Sequence, residues 1–564
     1  MSAEAAIDET AHAGSAAAGA GESRPIRLAL LLDDLAQPKW VGAVLDRVAA
    51  EGTAALVGVG VTSGGEPGAA PGLVYSAYLR FDARRYGRPD HLTRRADLGP
   101  QLRDVELVDV PGRTVDGRWT PDSEAVRRVL ALDADVVWYL GRTPLAEPAP
   151  TMSAQGTWAL DPVHGADGAR AVCDGVPTTV TALRRVADAA AAEAEVLATA
   201  RTRTDPTSVA ANHAEHVRHL VVLVAGAVAR ACRDERSRLW GVSASDVTAE
   251  LNVDGADIAR MAVRIATGLV RAKWQNVSTS RRWSLAYHLA DEHTSSSNPD
   301  SGTPITDPRQ FTELPPPADR YWADPFPAAW NDRYYVFYEE HLDGVRDAHL
   351  SVAELDPKHG LLNARVVLRR PYHLSFPSVF FWNGAWYMTP ETATEKAVQL
   401  YRAERFPDDW VYVGDLLRGE GFVDPVVAEI DGRWWMFVGV LPSGTQEATA
   451  QHLYHADTPL GPWTPHVLNP TAVDVRVARP AGRVFQRGGK YYRPVQDGVP
   501  HYGRAMAVHR IDLLTPTTFR ETPVECVEPT WRSGLIGTHT LNAAGRLTMI
   551  DAMRFGQRAR APRR

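Results

Sequence analysis

The chain has 564 residues, too many for one ordinary hydrophobic core, so two or more domains are expected. Its net charge of −7 argues against a general affinity for nucleic acid or anionic membrane surfaces, because both favour basic proteins. The three cysteines, Cys173, Cys232 and Cys526, form no CxxC pair and predict a chain without a disulfide framework, as is usual in the cytoplasm.

The first 24 residues predict a disordered leader. They are rich in Ala, Gly and Glu, and they lack the basic start and continuous apolar core of a signal peptide. No apolar run in the chain approaches the roughly 18 residues that a membrane-spanning helix needs. The sequence therefore predicts a cytoplasmic protein with no membrane partner.

Residues 25–205 alternate between strand and helix patterns, which predicts an α/β domain with a parallel, Rossmann-like sheet covered on both faces. The clearest elements are a strand at 26–34, an amphipathic helix at 40–52, a strand at 55–61, and a helix that runs into a third strand over 123–141. Residues 206–280 are mostly helical in pattern and predict a connector between the two halves of the chain.

The region 281–556 has short alternating runs rich in Trp, Tyr, Phe, Val, Pro and Gly, which is typical of an all-β domain. Copies of one motif, with a proline near its start and paired aromatic residues after a turn, begin at residues 324, 376, 424, 479 and, more weakly, 537. A repeat of about 50 residues carrying about four strands is one blade of a β-propeller. The repeats predict a five-bladed propeller, with a strand at 283–289 closing the ring, followed by a basic tail at 557–564.

The starts of the repeats carry the candidate catalytic residues. The first strand of each blade lines the central channel, so Asp324, Asp424, Arg479 and the neighbourhood of His539 should converge on one funnel. Two acids and an arginine at equivalent positions of a repeat favour an active site. The competing interpretation is that Asp324 only caps a strand, because Asp-Pro is also a common turn pair.

The repeats, the WADP stretch that contains Asp324, and LYHADTPLGPW at 453–463 resemble five-bladed propeller glycosidases of the arabinanase, β-xylosidase and invertase type. They also resemble the N-terminal region of plant glucosamine inositolphosphorylceramide transferases. In the glycosidases, the aspartate of the first blade is base or nucleophile, a second-blade aspartate tunes a pKa, and a third-blade glutamate is the general acid. The resemblance implies the first role for Asp324. The chain departs from the pattern because Phe376 replaces the second-blade aspartate and Asp424 replaces the glutamate.

Other acids could replace the missing carboxylate. Glu391 follows the inner hairpin of the second blade, and either Asp424 or Glu391 is predicted to be the general acid. Asp497 and the Glu339–Glu340 pair follow other hairpins at comparable places, and Asp497 is a candidate substrate-binding residue. The alternative interpretation of Glu391 is a rim residue bonded to a neighbouring loop.

Further residues are predicted to bind substrate. Arg479 and Arg493 could bind a carboxylate or phosphate through two parallel hydrogen bonds, or could only neutralise the acids. Tyr321, Trp322, Trp382 and Trp386 are candidates to stack on a sugar ring, whereas packing between blades is the expected role of most of the tryptophans. His539 is predicted beside the channel axis, where the resembled glycosidases often hold a cation. One histidine is not a metal signature, so no cofactor is predicted, and a channel cation near His539 is the alternative that the resemblance leaves open.

Residues 25–205 resemble the N-terminal domain of formyltransferases of the methionyl-tRNA and sugar-nucleotide type. The resemblance rests on the order of strands and on GTWALDP at 156–162, where those enzymes carry G-x-x-N-x-H-P. Ala159 replaces the asparagine, Asp161 replaces the histidine, and the later catalytic aspartate has no counterpart. The resemblance therefore implies a formyltransferase-like domain that has lost its catalytic groups.

These patterns together predict a carbohydrate-active enzyme whose propeller funnel hydrolyses or transfers a group on a sugar or a glycosylated small molecule. One alternative is a biosynthetic tailoring enzyme that uses the funnel for proton transfer or cyclisation on a non-sugar metabolite. A second alternative is a non-catalytic protein that binds a glycan or another ligand. The sequence predicts no nucleic-acid partner, and it leaves the substrate and the oligomeric state open.

Overall fold

The computed structural model describes residues 24–63, 73–86, 92–162, 168–188, 193–233, 255–290, 301–442, 445 and 447–557. The predicted leader at 1–24 and basic tail at 557–564 lie, but for one residue each, outside these described residues. Within the described part of the chain, no helix combines the length and the apolar character that crossing a membrane requires.

The N-terminal part is an α/β unit, as the alternating patterns predict. Its elements in chain order are β1 (Ile26–Leu32), β2 (Ala36–Pro38), α1 (Lys39–Ala50), β3 (Ala54–Ser63), α2 (Leu73–Tyr86), β4 (Arg95–Asp97), β5 (Glu106–Val115), β6 (Arg118–Pro121), α3 (Ser123–Ala131), β7 (Val136–Tyr139), β8 (Thr157–Asp161), α4 (Ala169–Asp174), β9 (Thr178–Arg185) and β10 (Glu195–Arg203). Strands β5, β3, β1, β7 and β8 are parallel neighbours in that order. The edges are antiparallel, with β6 on one side and β9 and β10 on the other.

Local sequence explains the central elements of this sheet. Strand β1 reads IRLALLL and is buried along nearly its whole length, as expected for a strand covered on both faces. Helix α1 packs Trp40 and Val44 against the sheet. Helix α3 begins after Asp122, whose side chain accepts hydrogen bonds from two backbone N–H groups of the first turn.

A formyltransferase-like fold is not confirmed for this unit. Its sheet mixes parallel and antiparallel strands, because β9 and β10 run back along β8 and continue towards the propeller. Ala159 is buried in the core, and the carboxylate of Asp161 lies 3.5 Å from Arg184 at the end of β8. Neither position supplies the amide or imidazole that the formyltransferase motif requires.

Two long helices connect this unit to the propeller. Helix α5 (Val209–Cys232) buries Val217, Leu220 and Val224 against the sheet and α1. Helix α6 (Gly255–Ser278) packs Met261 beside α4 and leads directly into the first strand of the propeller region.

The C-terminal part is a β-propeller. Its strands are β11 (Thr279–Leu289), β12 (Thr312–Leu314), β13 (Arg320–Trp330), β14 (Arg333–Leu342), β15 (His349–Asp356), β16 (Gly360–Leu368), β17 (Ser375–Trp382), β18 (Ala385–Glu391), β19 (Ala397–Arg405), β20 (Asp409–Arg418), β21 (Gly421–Ile430), β22 (Arg433–Leu441), β23 (Ala450–Ala456), β24 (Thr464–Pro465), β25 (Ala472–Asp474), β26 (Phe485–Arg487), β27 (Lys490–Asp497), β28 (Ala505–Leu514), β29 (Phe519–Val527), β30 (Leu535–Gly537), β31 (Leu541–Ala544) and β32 (Leu547–Gln557). Four blades follow the chain in order: β13 to β16, β17 to β20, β21 to β24, and β26 to β29.

The structure corrects the predicted number of blades, which is four and not five. The weak fifth copy of the repeat forms no four-stranded unit of its own. Its strands β30, β31 and β32 share a five-stranded sheet with β11 and β12 from the start of the region. Strand β11 pairs with β32 from Thr279–Gln557 to Leu289–Leu547. Counting sequence repeats failed here because this sheet is assembled from both ends of the region.

One strand pair joins the two parts of the chain. Strand β10 runs parallel to β25, with Ala200 opposite Val473 and Arg201 opposite Asp474. The ladder is continuous from β6 at the far edge of the N-terminal sheet to β21 in the third blade. Arg201 also contacts the carboxylate of Asp474 at 3.3 Å, in a largely buried position. The third blade is therefore held in register by the N-terminal sheet.

Candidate functional site

Three residues at the starts of the first three repeats share a strained backbone. Asp324, Phe376 and Asp424 have φ values of 51°, 48° and 51°, in the left-handed region. This region costs a non-glycine residue roughly 1–2 kcal/mol. The pairing with the second strand of each blade slips at the same position, which is a β-bulge. Because bulges re-aim side chains, the repeated Asp-Pro and Phe-Pro pairs set the direction of the residues at the channel.

Asp324 is buried and its carboxylate is bonded by two other sheets. Its Oδ1 accepts a hydrogen bond from the hydroxyl of Thr540 at 2.7 Å, and its Oδ2 accepts one from the backbone N–H of Phe376 at 3.2 Å. The Nδ1 of His539 lies 3.7 Å from Oδ1. Asp324 therefore faces the channel and does more than end a strand.

His539 forms a close pair with Asp551. Its Nδ1 lies 2.5 Å from Oδ2 of Asp551, while Oδ1 of that aspartate accepts the backbone N–H groups of His539 and Thr540 at 2.7 and 3.2 Å. The imidazole stacks on Trp283 with ring centroids 4.0 Å apart. Burial alone would lower the pKa of His539, but the carboxylates of Asp551 and Asp324 raise it above its ordinary value. A positive charge beside Asp324 is thereby stabilised.

Arg479 joins the acids of the second and third blades. Its Nε lies 2.5 Å from Oδ2 of Asp424, and its Nη2 lies 3.1 Å from Oε2 of Glu391. The side-chain amide of Gln496 donates a further hydrogen bond to Asp424 at 2.8 Å. The guanidinium also lies over the ring of Tyr502 at 4.9 Å. Asp424 is thus tightly bonded, and Glu391 shares a side-chain hydrogen bond with it besides its contact with Arg479.

The structure adds Glu339 to this group, and we call Asp324, Glu339, Glu391 and Asp424 the acid ring. Burial raises the pKa of Glu339 well above its usual range, and the charges of Asp324, Glu391 and Asp424 raise it further. Burial and the charge of Asp424 raise the pKa of Glu391 well above its usual range, against the opposing effect of Arg479.

Asp324 is the third acid of the ring with a raised pKa. Burial raises the pKa of Asp324 to about 6; the charges of Asp424 and Asp551 add to this effect, while His539 and the Thr540 hydroxyl oppose it. Four buried carboxyl groups around one guanidinium cannot all be ionised at neutral pH without a large cost. The acid ring therefore holds ionised and protonated carboxyl groups side by side.

Three predicted binding residues lie outside the acid ring. Trp322 is buried, and its Nε1 donates to Glu340 at 3.1 Å, so it is not a platform for a sugar. Arg493 is buried in a pair with Glu521, where it neutralises that acid. Asp497 accepts the backbone N–H of Val499 and lines a separate cavity of about 340 Å³ beside Asp474. In each case a local charged or polar partner engages the side chain, although the buried Nη1 of Arg493 has no hydrogen-bond partner among the described residues.

Two neighbouring predictions have different outcomes. Tyr321 stacks on His341 with centroids 4.8 Å apart, and burial together with the charges of Glu339 and Asp324 raises its pKa, so it lies beside the acid ring. Glu340 does not belong to the ring. Although burial would raise its pKa, hydrogen bonds from His349 and other donors lower it to about 2.

Several residues of the site had no signal in the repeat pattern. Thr540, just before β31, and Gln496, within β27, are ordinary polar residues. Asp551 did carry a signal, because it is a lone acid in the apolar run MIDAM of β32, where a buried carboxylate needs a partner. A buried acid of this kind can pair with a histidine at the predicted channel, as Asp551 does with His539.

Arg483 lies across the channel below the acid ring. Its Nη1 donates to the carbonyl of Pro327 at 2.9 Å, and its Nη2 donates to the carbonyl of Val379 at 2.8 Å. A longer contact of 3.5 Å reaches the carbonyl of Ala543. These carbonyls belong to β13, β17 and β31, so one guanidinium spans the channel and ties three sheets together.

A cation near His539 stays a prediction. Asp324, His539 and Asp551 place their ligand atoms within 4.8 Å of one another, which would suit a metal ion. The Nδ1 of His539 is, however, already bonded to Asp551, so a metal would have to displace that hydrogen bond. Asp324, His539 and Asp551 already interact with one another without a metal ion.

Most of the propeller region is similar in sequence to known proteins. The family model described as glucosamine inositolphosphorylceramide transferase 1, N-terminal, matches residues 290–543. The glucosamine inositolphosphorylceramide transferase 1 of Oryza sativa subsp. japonica is 32% identical over 206 residues, which are 36% of this chain and 28% of the relative. That of Arabidopsis thaliana is 30% identical over 235 residues, covering 40% and 30%. The chain thus spans less than a third of the length of these relatives.

Solved structures give a weaker likeness. A family 117 glycoside hydrolase of Zobellia galactanivorans is 13% identical with a TM-score of 0.32, over 49% of this chain and 90% of the hydrolase. The GH43 protein BlXynB of Bacillus licheniformis is 15% identical with a TM-score of 0.30, over 40% and 47%. Scores this low do not establish a shared fold. The formyltransferase resemblance of residues 25–205 receives no support from these similarities.

Proposed function

We propose that the acid ring is the active site of a carbohydrate-active enzyme that breaks or transfers a glycosidic bond. The observation that carries this proposal is the pair Asp324 and Glu391, two largely buried carboxyl groups on neighbouring blades whose pKa values are both raised by burial and by the charge of Asp424. Chemistry at a glycosidic bond needs one ionised and one protonated carboxyl group. The similarity of residues 290–543 to a family named for a glucosamine transferase supports a sugar substrate.

The contacts suggest which acid takes which role. Above pH 6 Asp324 is ionised and acts as nucleophile on the anomeric carbon or as base towards an incoming hydroxyl. Glu391, whose pKa burial and the charge of Asp424 raise well above its usual range, donates its proton to the leaving oxygen as the carbon–oxygen bond breaks. Asp424 suits the acid role less well because Arg479 and Gln496 occupy its oxygens. Arg479 anchors the two acids and presents its guanidinium to the substrate.

A panel of aryl glycosides and alkyl glycosides, offered to the full-length chain with water or added sugar alcohols as acceptors, tests this proposal. We expect turnover of at least one glycoside. Glu391→Gln should lose about 10²–10⁴-fold on alkyl glycosides, and much less on nitrophenyl glycosides, whose leaving group needs no proton.

The matched control is Glu395→Gln, an exposed glutamate four residues further along the chain, which should leave turnover unchanged. Equal losses of Glu391→Gln on both substrate types would remove the general-acid role. No turnover with any glycoside would count against a glycosidic substrate.

The row Asp551, His539 and Asp324 favours a second candidate, proton transfer on a non-sugar metabolite. The Nδ1 of His539 faces both carboxylates, at 2.5 Å from Asp551 and 3.7 Å from Asp324, so this one nitrogen could exchange a proton with either acid. His539→Gln would then abolish exchange of substrate protons with deuterated water. If glycoside turnover survives in that variant, the glycosidic function is favoured.

A further inference from the structure

A second cavity opens at the opposite end of the propeller channel from the acid ring. It has a volume of about 830 Å³ and is lined in part by Trp382 on β17. Phe376 marks the acid-ring end of the same strand. Since a strand rises about 3.3 Å per residue, Trp382 lies roughly 20 Å further along the channel. Arg483 lines the cavity at the end nearer the acid ring, where its guanidinium is bonded to the carbonyls of Pro327 and Val379.

Aromatic side chains form much of the wall of this cavity. They are Phe380, Phe381, Trp382, Trp434, Phe485 and Tyr491. Trp382 is partly exposed and meets Trp434 edge to face, with centroids 6.4 Å apart. Its other neighbour is Tyr387 at 6.0 Å. The indole is therefore held in one orientation by packing while part of its surface remains accessible to a ligand.

Polar groups are interleaved with these rings. The exposed side chains of Asn383, Glu429 and Gln486 lie at the cavity and can both donate and accept hydrogen bonds as a set. Among the described residues that line the cavity, Glu429 and Arg483 are the charged ones, and Arg483 is engaged with backbone carbonyls. A phosphate or carboxylate ligand would find no cation to spare, and a lipid would leave the polar groups unpaired.

We propose that this cavity is a second binding site that takes a neutral oligosaccharide. A sugar ring presents C–H groups that suit the face of Trp382, and its hydroxyls suit Asn383, Glu429 and Gln486. The volume falls within the range of about 300–1,000 Å³ that small-molecule sites have. The proposal goes beyond the proposed function and does not depend on the chemistry of the acid ring.

An array of neutral and anionic oligosaccharides, probed with the full-length chain, tests the proposal, and calorimetry then measures Kd for the neutral glycan that binds best. Trp382→Ala should raise this Kd at least tenfold. The double variant Glu429→Ala, Gln486→Ala changes exposed side chains only and should raise it several-fold with an unchanged Tm. Asp324→Asn, at the other end of the channel, should bind as the unmodified chain does.

The matched control is Tyr412→Ala, an exposed aromatic residue on the outer strand of the same blade that does not line the cavity. It should leave Kd unchanged. Retention of anionic glycans alone, or of none, would overturn the proposal, and so would a Kd that is unaffected by both cavity variants. Binding that disappears in Asp324→Asn would assign the glycan to the acid ring.

Discussion

The backbone N–H of Phe376 donates a hydrogen bond to the carboxylate of Asp324 over 3.2 Å. Both residues occupy the same position in their repeats and share the same left-handed backbone. The second blade lacks an acid at this position, yet the position still serves the site, because its amide favours the ionised form of the neighbouring acid. The second blade thus lacks the aspartate of the repeat, but the residue at that position contributes a backbone hydrogen bond to Asp324 instead.

Asp324→Asn should lose activity by orders of magnitude while the fold survives. Because the native pKa of Asp324 is raised to about 6, the folded state holds this proton more tightly than the unfolded state. Ionisation therefore lowers stability as pH rises from about 4 to about 6. Asparagine avoids that cost, so at pH 8 the variant should be as stable as the unmodified chain or more stable, by on the order of 1–3 kcal/mol.

Melting temperatures at pH 5 and pH 8, with turnover, check this prediction. Asp332→Asn is the matched control, since Asp332 lies exposed in the hairpin turn of the same blade and tolerates asparagine at its positive φ. An Asp324→Asn chain that melts early and still turns over would reduce this residue to a strand cap.

The pH dependence of kcat/KM should be bell-shaped. Activity should rise as Asp324 ionises near pH 6 and fall at higher pH as Glu391, whose pKa is raised well above its usual range, loses its proton. Initial rates between pH 4 and pH 10 measure both limbs. In Glu391→Gln, assayed on nitrophenyl glycosides, the alkaline limb should disappear and the acidic limb should stay; loss of the acidic limb would mean that the two roles are exchanged.

Arg479→Gln should destabilise the fold by roughly 3–5 kcal/mol, because it leaves Asp424 and Glu391 buried without a cation. The loss should be larger at pH 8 than at pH 5, where protonation can relieve part of the repulsion. Urea unfolding at both pH values measures it. The control Arg309→Gln removes an exposed pair with Asp307 and should leave the free energy of unfolding nearly unchanged. Equal costs for the two variants would show that the acid ring does not depend on Arg479.

Arg483→Met should lower the free energy of unfolding by about 2–4 kcal/mol, since the carbonyls of Pro327 and Val379 lose their donor in a buried place. Arg483→Lys should not restore it fully, because an ammonium group lacks the planar fork that reaches several carbonyls at once. Urea unfolding checks both. Arg487→Met, four residues on and paired with Glu525 near the surface, is the control and should cost little. A stable Arg483→Met chain would show that these carbonyls find other donors.

The sequence predicts much of this architecture through repetition. The Asp-Pro and Phe-Pro pairs identify the first strands of the blades. Buried strands such as β1 can be predicted from their continuous apolar runs. The blade number was wrong because the motif starting at residue 537 resembles a repeat, while its strands pair with β11 and β12 from the other end of the region. Pairing between distant segments leaves no periodic trace in a single sequence.

The acid ring shows the same limit at the level of side chains. Asp324, Asp424 and Arg479 could be predicted because they share repeat positions. Glu339 and Glu340 are adjacent and chemically alike, yet one joins the ring and the other is bonded to Trp322 and His349, because successive residues of a strand point to opposite faces. Choosing between them requires the register of β14, which the structure supplies.

The guanidinium of Arg483 lies across the propeller channel below the acid ring, bonded to backbone carbonyls of β13 and β17. In the proposed function, a molecule that reacts at the acid ring would arrive and depart on the side of Tyr502, which is 37% exposed. A departing fragment and an arriving acceptor therefore compete for the same passage, and neither can be threaded through from behind. A departing fragment would therefore have to leave before an acceptor could reach the acids through the same opening.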